Sequence, residues 1–141
     1  MKKYYVVIDT NVLISAALKP DSNPGIIFKF IDDGIIVPLI NNEILNEYHL
    51  VLSRPKFAFP QQLINDVIEV ITKTGIKIIE NHIDINLPDK KDRVFYEVVM
   101  KSNEIRESRL VTGNIKHSPV KPFIVTPKEL CEIILNDIEN N

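Results

Sequence analysis

The residues of this chain best placed to do chemistry are acids and polar groups that follow apolar runs. Asp9 comes directly after Tyr4-Tyr5-Val6-Val7-Ile8, and Glu43 follows Ile35 to Ile40 by three residues. Asp92, with Asp89 just before it, opens a stretch in which Val94, Phe95, Val98 and Val99 recur. Thr112 and Asn114 end the run Arg109-Leu110-Val111, and His117 lies just beyond. Carboxylates brought together repel, and without a partner some of them hold a proton. A hard divalent cation relieves the repulsion and prefers oxygen donors, so such a set points to Mg²⁺ or Mn²⁺. No run of histidines or cysteines suggests zinc or iron. The chemistry that a carboxylate-bound ion of this kind supports is phosphoryl transfer or phosphodiester hydrolysis.

These residues lie up to a hundred positions apart, so only the fold can gather them. Tyr4 to Ile8 is a continuous β-rich run, which suits a strand buried on both faces of a parallel sheet. Val12 to Leu18 starts a short helix, and Asn23-Pro24 reads as an N-cap with proline at the first helical position. Gly34 closes that second helix. Ile35 to Ile40 is the second strand, and Asn41-Asn42 caps a helix with Ile44, Leu45, Tyr48, Val51 and Leu52 on its apolar face. After the connector Pro55 to Pro60, a longer helix carries Leu63, Ile64, Val67, Ile68 and Ile71 and ends near Gly75. Ile76 to Glu80 is the third strand, Arg109 to Thr112 the fourth, and Phe123 to Val125 a short fifth. Thr126-Pro127-Lys128-Glu129 carries a capping box and starts the last helix. Cys131 lies on the apolar stripe of that helix and is expected to be a packed core thiol.

Strands alternate with helices throughout, which predicts a three-layer α/β/α sandwich around a mostly parallel sheet of about five strands. All strand ends then face one edge, where ligands bind. The acids all stand at strand-to-helix junctions, so topology alone brings them to that edge. The length predicts one domain over residues 1–141. A formal charge of −2 argues against bulk electrostatic binding of nucleic acid, although a metal ion can neutralise phosphate locally. The apolar runs are too short to span a bilayer, no membrane association is expected, and the single cysteine excludes an intrachain disulfide. The cytoplasm is the expected compartment.

Each residue also has a plainer structural reading. Thr10 and Asn11 can cap the first helix. Glu43 is favourable at a helix N-terminus through the dipole alone. Glu47, one turn on, reads as a solvated acid. Asp92 is a plausible N-cap, Asp89 a loop residue and His117 a surface residue. Lys90-Lys91-Asp92-Arg93 is too small to be a nucleic-acid patch.

Val6-Val7-Ile8-Asp9-Thr10-Asn11-Val12-Leu13-Ile14-Ser15 resembles the opening motif of the PIN-domain (PilT N-terminus) family, within it the toxin-component branch. The resemblance continues at Asn42-Glu43, at Asp89 to Glu97 and at Leu110-Val111-Thr112-Gly113-Asn114. It implies a metal-dependent ribonuclease with a carboxylate cluster. Asp9, Glu43 and Asp92 match the family's first three acids, and Asn11 and Thr112 its supporting polar positions. The family often has a fourth acid after strand four, directly after the Thr-Gly pair or three residues later. Here Asn114 and His117 hold those places. Asn114 can still offer an amide oxygen to a metal but brings no charge, which puts a second ion and full activity in question.

Three functions follow as expectations. The first is an endoribonuclease with Asp9, Glu43, Asp92 and Asn114 around Mg²⁺ or Mn²⁺, supported by Thr10, Asn11, Thr112 and His117. Asp92 or Glu43 would act on the attacking water. Its substrate is single-stranded RNA, whose backbone can bend into an edge cleft. An antitoxin protein and a second copy of the chain are the expected partners. The second is a weakened member of the family that binds RNA or an antitoxin without efficient cleavage. The third is another Mg²⁺-dependent phosphoryl enzyme. A haloacid-dehalogenase-type phosphatase needs an aspartate where Asn11 stands, and a receiver domain needs one at the end of strand three, where Glu80 stands. A dinucleotide fold lacks its G-x-G-x-x-G.

Overall fold

The computed structural model describes residues 2–79, 92–113 and 121–140. In chain order the elements are β1 (Tyr4–Ile8), α1 (Thr10–Leu18), α2 (Asn23–Asp32), β2 (Ile36–Ile40), α3 (Asn42–Leu52), a 3₁₀ turn (Pro55–Phe57), α4 (Gln61–Thr74), β3 (Ile76–Lys77), α5 (Asp92–Asn103), β4 (Ser108–Val111), β5 (Ile124–Val125) and α6 (Pro127–Glu139). The sheet has five parallel strands in the order β3-β2-β1-β4-β5. This is the three-layer α/β/α fold expected from the alternation of strands and helices.

The strand order explains the sequence pattern. β1 lies at the centre, with Tyr4 opposite Ile36 on one side and Val7 opposite Leu110 on the other. Val6, Val7 and Ile8 are accordingly buried, as is every residue of β2. A strand covered on both faces has no polar side to alternate with. α2 and α4 pack against β2, and α6 lies beside α2; α5 packs against β1, β2 and β4. The right-handed rule for crossovers between parallel strands predicts α5 on the face opposite α2 and α4. Both edge strands are two residues long, which limits the unpaired backbone each edge offers.

Two helix starts and one strand end correct details of the sequence reading. Ser22, not Asn23, caps α2, its side-chain oxygen accepting from the Gly25 amide at 3.3 Å. A serine hydroxyl reaches a third-residue amide, whereas Asn23 is already inside the helix. Asp9 is the residue before α1, so Thr10 and Asn11 belong to its first turn and cap nothing. β3 ends at Lys77, short of Glu80, which lies outside the described residues. Asn41 caps α3 through the Ile44 amide at 2.8 Å, and the Thr126–Glu129 capping box starts α6, both as expected. Cys131 is buried, and that burial, followed by the charge of Glu132, raises its thiol pKa.

Two predictions come from this packing. A Cβ at Gly25 would stand 2.0 Å from the Pro20 carbonyl oxygen, a backbone atom that cannot turn aside. Gly25→Ala is expected to cost about 2 kcal/mol or more in urea denaturation. Tyr4 is buried and donates to the Asp137 carboxylate; burial first, then that bond, pushes its pKa up to about 12. The protonated phenol is the form the fold favours. Its contribution is therefore complete below the unfolded value near 10 and disappears as pH rises to about 12. Thermal unfolding followed from pH 9 to 12 is expected to show a decline that is shallower in Tyr4→Phe.

Candidate active site

Leaving β1, the chain moves to β2 and then β3 on one side, and afterwards returns to β4 and β5 on the other. The reversal falls between β1 and β4, at whose carboxyl ends an open α/β sheet has its crevice. Asp9 and Thr112 are the first residues past those two ends.

Asp9 occupies the N-cap position of α1 with extended backbone (φ −61°, ψ 139°). Aspartate is favoured there because its carboxylate can accept first-turn amides. Here it makes no such bond. Instead Asp9 Oδ2 accepts the Thr112 hydroxyl at 2.6 Å. The Asp9 amide donates to the Val111 carbonyl at 3.0 Å, and its own carbonyl accepts from the Val12 amide at 2.9 Å. The half-buried carboxylate is thus turned towards β4 and the crevice rather than into the helix end. Four lone-pair sites on a carboxylate leave acceptor capacity beyond the one bond to Thr112.

The other expected residues separate into groups. Thr10 is buried, and its hydroxyl has no hydrogen-bond partner among the described residues, which marks it as an unsatisfied donor beside Asp9. Asn11 is exposed. Thr112 is buried and bonded to Asp9. Glu43 stands in the first turn of α3 and is exposed. Asp92 is the first residue of α5. Asp89, Asn114 and His117 lie outside the described residues. Among the described residues no three acids, histidines or cysteines are grouped closely enough to hold a metal.

Three further residues stand out beside the expected ones. Glu47 is half-buried and follows Glu43 by one turn on α3. Its sequence neighbour Tyr48 is fully buried. The Tyr48 hydroxyl donates to the Ile8 carbonyl at 2.5 Å. Burial above all, and then the negative charge of Asp9, drives the Tyr48 pKa far above the ordinary tyrosine value, so the hydroxyl remains a donor. Glu97 on α5 is a buried acid inside the otherwise apolar run Val94 to Val99, and that interruption was the sequence signal for it.

An open parallel α/β fold with a carboxylate held at the β1–β4 switch point defines the class of protein. Residues 5–116 match the PIN domain family, and the chain belongs to it. Members of that family are generally metal-dependent nucleases. The chain is also 29% identical to an uncharacterized protein of Methanocaldococcus jannaschii, MJ1680, over 92% of this chain and 91% of that protein. No solved structure matches it. Among the described residues no helix is long and apolar enough to cross a membrane.

Thr112→Val keeps the shape of the side chain and removes the hydroxyl that Asp9 accepts. A hydrogen bond to a charged group contributes about 1.5 kcal/mol or more. Urea denaturation at neutral pH is expected to register a loss of about that size, and Thr112→Ser is expected to restore most of it.

Proposed function

We propose that this protein is a metal-dependent endoribonuclease acting on single-stranded RNA, the toxin component of a toxin–antitoxin pair working in the cytoplasm. The observation that carries this is the Asp9 carboxylate, which stands at a helix N-terminus without capping it and is held by Thr112 at the sheet's switch point. An aspartate committed only to structure would accept the amides of α1. The oxygen-only donor set fits a hard divalent cation such as Mg²⁺ or Mn²⁺.

Asp9, Asp92 and a carboxylate of α3 would hold the ion, with the Asn114 amide oxygen as a further donor. Bound there, the ion supplies positive charge to the phosphodiester and lowers the pKa of water. Thr112 keeps the Asp9 carboxylate turned outward. A second carboxylate, Asp92 or Glu43, accepts the proton of the attacking water. Thr10, Asn11 and His117 stand in this reading as the polar support for the RNA backbone and the acids. Glu43 is the α3 acid that the sequence motif selects; the partial burial of Glu47 supports it as the competing choice. An antitoxin segment would block the acidic cleft. A homodimer belongs to the same reading, and Leu135 and Ile138, exposed one turn apart on α6, are apolar surface that could serve it.

A second reading has a specific observation behind it. Asn114 stands where the family often carries a fourth acid, so a module that binds RNA or an antitoxin without efficient cleavage fits the same fold.

Cleavage of a panel of single-stranded RNAs with and without Mn²⁺ tests the proposal. Mn²⁺-stimulated cutting is expected, with Asp9→Asn reducing it on the order of a hundredfold. Absence of cutting in the wild type, together with RNA or antitoxin binding, favours the second reading. Comparing Glu43→Gln with Glu47→Gln identifies the α3 carboxylate, because only the true ligand is expected to reproduce the Asp9→Asn loss.

A further inference from the structure

The Ile8–Asp9 peptide is held from both sides. Its carbonyl accepts the Tyr48 hydroxyl at 2.5 Å, and its N–H donates to the Val111 carbonyl at 3.0 Å. A peptide unit is planar, so bonds at its two ends restrain the directions of its carbonyl and its N–H together. Asp9 projects from that plane, and its carboxylate is fixed in turn by Thr112. The last residue of β4 and the residue just after it supply two of these three bonds, and α3 supplies the third. Tyr48 and Ile8 are both buried, so the bond between them is shielded from solvent. Its ring also meets Phe95, centroid to centroid at 6.2 Å, and Phe95 lies on α5, the helix that Asp92 begins. One side chain therefore touches the segment carrying Asp9 and the helix carrying Asp92, and itself belongs to the helix carrying Glu43 and Glu47.

We propose that Tyr48 is a positioning residue for the acid site: its hydroxyl sets the orientation of the Asp9 peptide and the distance at which α3 stands from it. The inference rests on the reading of these acids as a metal site. Tyr48 touches neither ion nor substrate, and it acts through the placement of the carboxylates. Groups that orient metal ligands affect affinity by ten- to a hundredfold when removed, roughly.

Tyr48→Phe retains the ring and its contact with Phe95 and deletes only the hydroxyl. Val51→Ala, on the buried face of the same helix, serves as a destabilised control without that bond. Mn²⁺ binding by calorimetry and melting temperature are measured for both and for the wild type. The expected result is that both variants melt lower while only Tyr48→Phe binds Mn²⁺ about tenfold more weakly. Its RNA cleavage is expected to recover at excess Mn²⁺. Wild-type affinity in Tyr48→Phe, or equal weakening in Val51→Ala, overturns the role of Tyr48 and leaves the metal site standing. A wild type that shows no saturable Mn²⁺ binding overturns the metal site itself and this inference with it. Hydrogen exchange of the wild type with and without Mg²⁺ gives a reading that needs no variant. The Asp9 amide and the segment 42–52 are expected to slow together, and slowing at Asp9 alone overturns the coupling.

Discussion

A carboxylate at the end of the central strand has to be held in place without being consumed by the helix that follows it. Asp9 sits where the N–H groups of α1 would ordinarily claim an aspartate oxygen. The Thr112 hydroxyl, arriving from just past the end of the neighbouring strand, takes that oxygen instead. This is possible only because β4 lies beside β1 in the sheet, although the two strands are separated by most of the chain. The rest of the fold can be understood as the support for that adjacency.

That support is mainly apolar. β1 and β2 are covered on both faces, so their side chains and those of the helices around them form one continuous core. Burial of this kind is not directional. Direction comes from the parallel register, which sets Ile8 level with Val111 and so brings the two following residues, Asp9 and Thr112, opposite each other. A core that is close-packed transmits small displacements rather than absorbing them, and the geometry at the sheet's edge inherits its rigidity. α3 adds a second constraint through Tyr48, which joins the end of β1 to a helix that carries two of the acids.

The two α3 acids show how environment separates similar residues. Glu43 belongs to a first turn where a negative charge is favoured wherever it points, and it is exposed. Glu47 has no such dipole benefit and is nevertheless half-buried. The family to which the chain belongs makes nuclease chemistry the frame for this site. The replacement of a fourth acid by Asn114 bears on how much charge, and hence how many ions, the edge can accommodate.

Much of the architecture was legible in the residues themselves. Unbroken apolar runs such as Tyr4 to Ile8 specify strands covered on both faces, and Asn41 and the Thr126–Glu129 pair mark helix starts through their own hydrogen bonds. These are local properties, set by side-chain chemistry within a few positions. Alternation of strand and helix then dictates a parallel sheet, and with it the gathering of junction residues at one edge. The sequence did not reveal that Ser22 rather than Asn23 reaches the Gly25 amide, that Glu47 is half-buried, or that Tyr48 closes on the Ile8 carbonyl. Tyr48 reads in the sequence only as one more residue on an apolar stripe. Its hydroxyl acquires a role because the tertiary structure places a strand-end carbonyl within reach, and such long-range pairing leaves no trace in local spacing.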